Sequence, residues 1–401
     1  MSSTSRRPAG SRRPRRSLLA AALPLAVVLT AAGCGSSSAG PSTSAPGSTS
    51  APGSASAPGA TAARQAISAH LDKQTFTADL TPVKQIEKAK GKKVLYTAIS
   101  LKIPYFQTVL KAMRSAASDP GVSIDGCDGN FTPANIGACV TQAISQHYDA
   151  IVLDNIPVDL IGQGAAALKG AGVQIISAEA EDLPPANGVT YAGTGGPTML
   201  QAAANWIIAD SGGKANVLLV QQNDTPLQIK YITDYVTPTF TKNCPDCRVQ
   251  TINVTAAQFG GLGTQVSTAL LKDTKINYVL SEFDANVQYV VPGLQNSPRG
   301  KNIKLVGAIG DLAALQRVSS GQFQRADVQV SPSYAAWAVL DQTIRVLTGA
   351  TPWVRLNTPY RIFDETNIHG VALSQAAIDD GTLVGGDTWS KVFRAAWGLP
   401  S

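Results

Sequence analysis

Residues 94–113 read VLYTAISLKIPYFQTVLKAM and combine two different hydrophobic patterns. Positions 94–99 form an apolar run with β-branched and aromatic side chains, which is typical of a β-strand. After the proline that follows, Val109, Leu110 and Met113 recur at the spacing of one face of an α-helix. This stretch therefore predicts one strand followed by one helix.

The same alternation of short apolar runs and helical patterns continues in two series, at 94–176 and at 197–330. Strands separated by helices predict parallel sheets with right-handed crossovers. The predicted fold class is therefore α/β, with two doubly wound parallel-sheet lobes. Ligands of such sheets bind beyond the carboxyl ends of the strands, so two facing lobes predict a cleft lined by strand-to-helix loops.

The segment 1–33 is typical of a bacterial signal peptide, because six arginines precede a largely apolar run at 18–32. That run is too short for a transmembrane helix, which needs about 20 residues. Small residues before Cys34 resemble a lipobox, in which the cysteine is lipidated and becomes the new N-terminus. Ordinary secretory cleavage is the alternative. We expect an extracytoplasmic protein that is anchored to the outer face of the cell membrane through this lipid only.

The segment after Cys34 is built almost wholly from Ser, Gly, Ala, Pro and Thr up to residue 63. Such a composition offers too few apolar side chains to form a core, so 34–63 is predicted to be a lipidated cysteine followed by a flexible linker. The next segment, 64–91, is amphipathic and charged, and we expect a helical preface there.

The charge of the chain is concentrated in the signal peptide. The whole sequence has a net charge of +6, but without the six arginines of 1–33 it has 27 basic and 27 acidic residues. A neutral mature chain has no basic surface for phosphate groups, so we expect no nucleic-acid partner. We also expect a monomer.

Four cysteines follow Cys34, and an even number in an exported chain indicates disulfides. Of the three possible pairings, Cys127 with Cys139 and Cys244 with Cys247 gives the shortest loops, and this is the pairing we predict. The second pair also has the spacing of a redox motif, but it follows a predicted helix instead of beginning one. The three histidines are scattered and none lies at ligand spacing from a cysteine, so we predict no metal site and no cofactor.

Several short segments resemble, in order and at matching spacing, those of ribose-type periplasmic binding proteins: Ile103-Pro104-Tyr105-Phe106, Asp128-Gly129-Asn130, 148–153, 171–176, Phe283-Asp284-Ala285, Val306-Gly307-Ala308 and Ser331-Pro332-Ser333-Tyr334. The resemblance covers about 92–349. It implies two lobes joined by a three-stranded hinge, which close over one small molecule and deliver it to an ABC permease and its ATPase. The lobes would then comprise 92–192 with about 331–355, and 193–330 with about 356–385.

The resemblance also implies the ligand-binding positions, and several of them have lost polar groups. Members that bind sugars carry an asparagine at the position of Ile103, an Asp-Arg pair at Glu179-Ala180, an asparagine at Phe283 and an aspartate at Ile309. Buried hydroxyl groups without hydrogen-bond partners are costly, so we expect a ligand that is less polar than ribose.

The candidate ligand-binding residues combine the family's aromatic pair, the exchanged positions and nearby acidic or amide side chains. They are Ile103, Tyr105, Phe106, Glu179, Glu181, Gln222, Gln228, Phe283, Asp284, Ile309 and Val330. At the last of these positions, Val330, the family has a glutamine. Asp284 has an alternative role as a helix cap, and Glu282 and Asp311 are further acidic residues near the predicted cleft.

The predicted function is that of a substrate-binding lipoprotein of an ABC transporter. A sensor that signals to a membrane receptor is an alternative with the same sequence features. An exported enzyme is disfavoured, because no Gly-x-Ser-x-Gly motif occurs and no histidine lies in a catalytic motif.

Overall fold

The computed structural model describes residues 58–400, so the predicted signal peptide, Cys34 and the linker up to residue 57 lie outside the described residues. The strands are β1 (Lys93–Ala98), β2 (Ser123–Asp128), β3 (Ala150–Asp154), β4 (Gln174–Ala178), β5 (Val189–Ala192), β6 (Asn216–Gln222), β7 (Arg248–Val254), β8 (Tyr278–Ser281), β9 (Lys304–Ile309), β10 (Gln324–Val330) and β11 (Tyr360–Asp364).

The α-helices lie between these strands and at both ends of the described chain. They are α1 (Pro58–Ser68), α2 (Pro104–Ala117), α3 (Pro133–Ser145), α4 (Gly164–Gly170), α5 (Gly196–Asp210), α6 (Pro226–Tyr231), α7 (Thr237–Asn243), α8 (Leu262–Lys272), α9 (Asp284–Gln295), α10 (Leu312–Ser320), α11 (Pro332–Thr348), α12 (Gln375–Asp379) and α13 (Thr388–Ala396). A π-helical turn, Ile232–Val236, joins α6 to α7. Within residues 58–400, no helix is long and apolar enough to span a membrane.

Two sheets form the centres of the two lobes. The first has the strand order β2-β1-β3-β4-β5 and is entirely parallel. The second has the order β11-β10-β9-β8-β6-β7, and only β11 runs antiparallel to its neighbour. β1 and β3 are almost wholly buried, as expected for parallel strands covered by helices on both faces. The predicted α/β fold class is confirmed.

The chain crosses between the lobes several times. It passes from the first sheet to the second after β5, returns after β10 so that α11 packs on α2, and crosses again to β11. The C-terminal residues then place α13 on α11. This last crossing is additional to the three connections of the predicted hinge. The amphipathic helix α13 was not predicted from the sequence.

The predicted end of the linker at residue 63 is wrong, because α1 already begins at Pro58. Ala60, Ala63 and Ile67 lie on one face of α1 and are buried. This face packs against α5 and α7 of the second lobe, and the burial of these apolar side chains fixes the helix. The predicted helical preface is therefore helical mainly in its first part.

Residues 58–91 form an N-terminal strap that contacts both lobes. After α1, the carbonyl oxygen of His70 accepts a hydrogen bond of 2.7 Å from the Ile362 amide of β11. Further along, the Phe76 ring packs against Tyr334 of α11 and Phe393 of α13, with ring centroids 5.0 and 5.6 Å apart. The strap thus runs from the second lobe to the first.

Both predicted disulfides are present. Cys127 at the end of β2 is bonded to Cys139 in α3, with the Cα atoms 5.9 Å apart. Cys244 and Cys247 span the turn between α7 and β7, with the Cα atoms 5.2 Å apart. Because the second pair follows a helix and leads into a strand, its position supports a structural role.

Candidate functional site

A cavity of about 50 Å³ lies between the lobes, at the carboxyl ends of the strands. From the first lobe it is lined by Ile99, Ile103, Tyr105, Phe106, Phe131, Asn155 and Glu179. From the second lobe it is lined by Met199, Gln222, Gln228, Phe283, Ala285, Ile309 and Asp311. Side chains from both sheets thus surround one space, as expected where two doubly wound lobes face each other.

The structure brings eight of the predicted ligand residues to this cavity and places three elsewhere. The eight are Ile103, Tyr105, Phe106, Glu179, Gln222, Gln228, Phe283 and Ile309. The other three, Glu181, Asp284 and Val330, do not line it.

The first of these three, Glu181, is held away from the cavity by partners of the second lobe. Its carboxylate forms an ion pair with Lys230 and accepts a hydrogen bond of 3.2 Å from the Tyr235 hydroxyl. It lies instead in a neighbouring depression beside Arg355. These long-range partners separate Glu181 from Glu179, although only one residue lies between them in the sequence.

Asp284 and Val330 have structural roles and do not line the cavity. One carboxylate oxygen of Asp284, Oδ2, accepts hydrogen bonds of 2.9 Å from the backbone amides of Gly310 and Asp311, just before α10. Asp284 therefore positions the loop that carries Asp311. Val330, the last residue of β10, is 4% exposed and belongs to the apolar core, because alternate side chains of a strand face opposite sides.

Sequence reasoning missed Ile99, Phe131, Asn155, Met199 and Ala285. Asn155 directly follows β3, just as Glu179 follows β4, so the rule that ligands bind beyond strand ends could have found it. Met199 lies inside α5 and carried no comparable signal.

The backbone of the cavity wall is strained at several strand ends. Phe131, Asn155 and Glu179 have φ values of 56°, 56° and 52°, and Ile309 has a φ of 119°. Positive φ values are unfavourable for residues other than glycine, most of all for a β-branched residue such as isoleucine. Strain of this kind is typical of sites where the chain must aim side chains at a ligand.

The carboxylate of Glu179 is the centre of a buried hydrogen-bond network. The Tyr105 hydroxyl donates a hydrogen bond of 2.7 Å to Oε1, and the Thr194 hydroxyl donates to the same oxygen. Tyr231 of the second lobe donates to the backbone carbonyl of Glu179. Burial raises the pKa of Glu179, and the two hydroxyl donors oppose this rise.

A second buried carboxylate lies behind Glu179. Asp154 accepts a hydrogen bond from the Tyr96 hydroxyl, and its other oxygen, Oδ1, is buried without a partner. Burial and the neighbouring charge of Glu179 raise the pKa of Asp154 well above its usual range. Two buried carboxyl groups, those of Glu179 and Asp154, thus lie on the first-lobe side, and only Glu179 lines the cavity itself.

The second lobe also contains a cluster of three acidic side chains, of which Asp284 and Asp327 are buried and Asp311 is partly exposed. Asp284, Asp311 and Asp327 lie close together, and burial raises the pKa of Asp311 and of Asp327 to about 7. Burial and Asp327 raise the pKa of Asp284 well above its usual range. In the part of the chain that the structure describes, no group of three or more His, Cys, Asp or Glu side chains could hold a metal ion.

Comparisons with known proteins identify the family and the fold. A family model described as "Periplasmic binding protein domain" matches residues 94–351. No curated protein sequence matches the chain.

Solved structures with the same fold include three proteins of ABC transport systems. A sugar ABC transporter protein from Yersinia enterocolitica is 17% identical, with a TM-score of 0.65, and the match covers 80% of this chain and 97% of that chain. A solute-binding protein from Agrobacterium vitis, bound with α-D-tagatopyranose, is 15% identical with a TM-score of 0.63, covering 72% and 98%. A periplasmic ribose ABC transporter protein from Conexibacter woesei is 19% identical with a TM-score of 0.58, covering 73% and 98%.

At these identities the structural likeness establishes the fold, and the family match covers most of the two lobes. The resemblance identified in the sequence is therefore confirmed. The chain belongs to the periplasmic binding protein family.

Proposed function

We propose that this chain is the substrate-binding lipoprotein of an ABC importer, which captures a small solute outside the cytoplasm and delivers it to a membrane permease and its ATPase. The observation that carries the proposal is the cavity lined by residues of both lobes near the strand ends, including Glu179 from the first lobe and Phe283 from the second. A solute that contacts both walls favours the closed arrangement of the lobes over the open one. Two solved structures with the same fold, a sugar ABC transporter protein and a solute-binding protein bound with α-D-tagatopyranose, support this class of function.

The proposed ligand remains less polar than ribose. Most of the side chains lining the cavity are apolar, and Ile103, Phe283 and Ile309 are among them. A hydroxyl-rich ring would leave several polar groups without partners against such walls, and each one costs free energy. In this proposal the protein acts as a monomer, without a cofactor and without a nucleic-acid partner.

A thermal-shift screen of the purified chain tests this function. Sugars, polyols, nucleosides and amines are each added, and a compound at about 100 times its Kd is expected to stabilise the protein by about 2.7 kcal/mol. Strong shifts by pentoses and hexoses, without shifts by less polar compounds, would contradict the proposed character of the cavity.

Replacement of Cys34 tests the proposed anchor. The Cys34→Ser variant has no thiol to be lipidated, so we expect it to move from the membrane fraction to the soluble or secreted fraction. Even one acyl chain binds a membrane only marginally, and the variant has none. We therefore expect it to be released from the membrane. The measurement is the distribution of the protein between fractions, with Ser37→Ala as the control. Retention of Cys34→Ser at the membrane would contradict the anchor.

A further inference from the structure

The polar groups that line the cavity are unbalanced in charge. Glu179 supplies a carboxyl group from the first lobe and Asp311 supplies one from the second. Among the cavity-lining residues there is no lysine, arginine or histidine. Buried carboxylates usually face a cation, because an unpaired charge is costly to remove from water. A positively charged group supplied from outside the chain would hold both carboxyl groups in their ionised form.

The oxygen atoms available to such a group can be named. Asn155 is 6% exposed, and its Oδ1 is buried without a hydrogen-bond partner. The hydroxyls of Tyr105 and Thr194 both bond to Oε1 of Glu179, which leaves Oε2 for a ligand. Asp311 precedes α10 but makes no side-chain cap to it. Three hydrogen-bond acceptors thus line one small space.

Aromatic rings complete the wall. Tyr105 and Phe106 meet edge to face with ring centroids 5.3 Å apart, and Phe131 and Phe283 line the same cavity. Aromatic faces attract cations, and this attraction increases when the site is desolvated. A sugar would also stack on such rings, but it would not offset the carboxyl groups of Glu179 and Asp311.

We propose that the solute bound between the lobes is a small organic ammonium ion, held by the carboxylates of Glu179 and Asp311, by Oδ1 of Asn155 and by the surrounding aromatic rings. This inference rests on the proposed solute-binding function and names its ligand class. The cavity has a volume of about 50 Å³, so the ion it holds must be compact, with a small apolar part. Because the two carboxyl groups belong to different lobes, a cation that contacts both of them connects the lobes and stabilises the closed state.

The test is a calorimetric titration of the full chain with matched cationic and neutral probes. Choline is compared with its neutral isostere 3,3-dimethylbutan-1-ol, and isobutylammonium, tetramethylammonium, D-ribose and glycerol complete the panel. We expect at least one of the ammonium ions to bind at least 30-fold more tightly than the neutral isostere and the sugar. The inference would be overturned if no ammonium ion binds more tightly than the neutral isostere, or if none of the three ammonium ions binds at all.

Two variants connect the binding to the named carboxyl groups. Glu179→Gln and Asp311→Asn keep the size of each side chain and its ability to accept a hydrogen bond. Each is expected to weaken ammonium binding at least tenfold, and to weaken binding of the neutral isostere by a much smaller factor. Glu365→Gln removes the same charge from an exposed position and serves as the control, for which we expect unchanged affinity. Unchanged ammonium affinity in both cavity variants would overturn the inference even if one of them were poorly folded.

The two levels of the proposal fail in different ways. If D-ribose or glycerol binds and the ammonium ions do not, the ligand class is wrong and the solute-binding function stands. If no member of the panel and no compound of the thermal-shift screen binds, both the ligand class and the solute-binding function are contradicted.

Discussion

The Asp327→Asn variant is expected to be more stable than the unmodified protein by about 3 kcal/mol at pH 8. Asp327 is fully buried in β10 and accepts a hydrogen bond of 2.6 Å from the Gln324 side chain, while its Oδ1 has no partner. Burial raises the pKa of Asp327 to about 7, so at pH 8 the folded protein must hold a buried charge. An asparagine still accepts from Gln324, and its amide can donate to Oδ1 of Asp284, which is also unpartnered.

The sign of the pH dependence follows from the direction of the shift. Between pH 3.8 and about 7, folded Asp327 keeps its proton while the unfolded chain releases it, so the free energy of unfolding falls as the pH rises. Above pH 7 this contribution is constant. The Asp327→Asn variant lacks this carboxyl group, so its free energy of unfolding should fall less steeply as the pH rises.

Urea unfolding of both proteins at several pH values from 4.5 to 8 measures the effect. Asp246→Asn, at an exposed position, is the matched control and should change the free energy of unfolding by less than about 0.5 kcal/mol. If Asp327→Asn is less stable at pH 8, or if its stability declines with pH as steeply as that of the unmodified protein, the buried charge is not the cause.

Phe76→Ala is expected to lower the free energy of unfolding by about 4 kcal/mol. The Phe76 ring is 3% exposed and packs between Tyr334 of α11 and Phe393 of α13. Its removal leaves a cavity among aromatic rings that belong to distant parts of the sequence. The strap would then lose its main apolar contact with the first lobe.

Chemical denaturation provides the measurement for this variant as well. Leu271→Ala is the control, because that side chain is also large and apolar but is 66% exposed. We expect the control to change stability by less than about 0.5 kcal/mol. A loss below about 1 kcal/mol for Phe76→Ala would mean that the strap lies loosely on the lobes and is not part of the folded core.

The two sheets could be predicted from the sequence because their signal is local. The apolar run at 94–99 and the helical spacing of Val109, Leu110 and Met113 are visible within 20 residues. The packing of the strap on the lobes had no such local signal, since Phe76 is buried by Tyr334 and Phe393, which lie more than 250 residues away. Long-range packing of this kind overrides local composition, and it also explains why α1 begins within the predicted linker.

Site residues could be predicted from the sequence where they directly follow a predicted strand. Glu179 follows β4, and Asn155 could have been found by the same reasoning after β3. Glu181 was not distinguishable from Glu179 in the sequence, because its ion pair with Lys230 depends on how the second lobe lies against the first. The role of Asp284 depends likewise on its hydrogen bonds to the backbone of a separate loop.

The proposed function requires that the two lobes close over a solute in the cavity between them. Small-angle X-ray scattering of the chain, titrated with the tightest-binding compound of the ammonium and sugar panel, tests it most directly. We predict that the radius of gyration falls on titration and saturates together with the calorimetric binding curve. A radius of gyration that stays constant while the calorimetric binding saturates would contradict closure over the ligand.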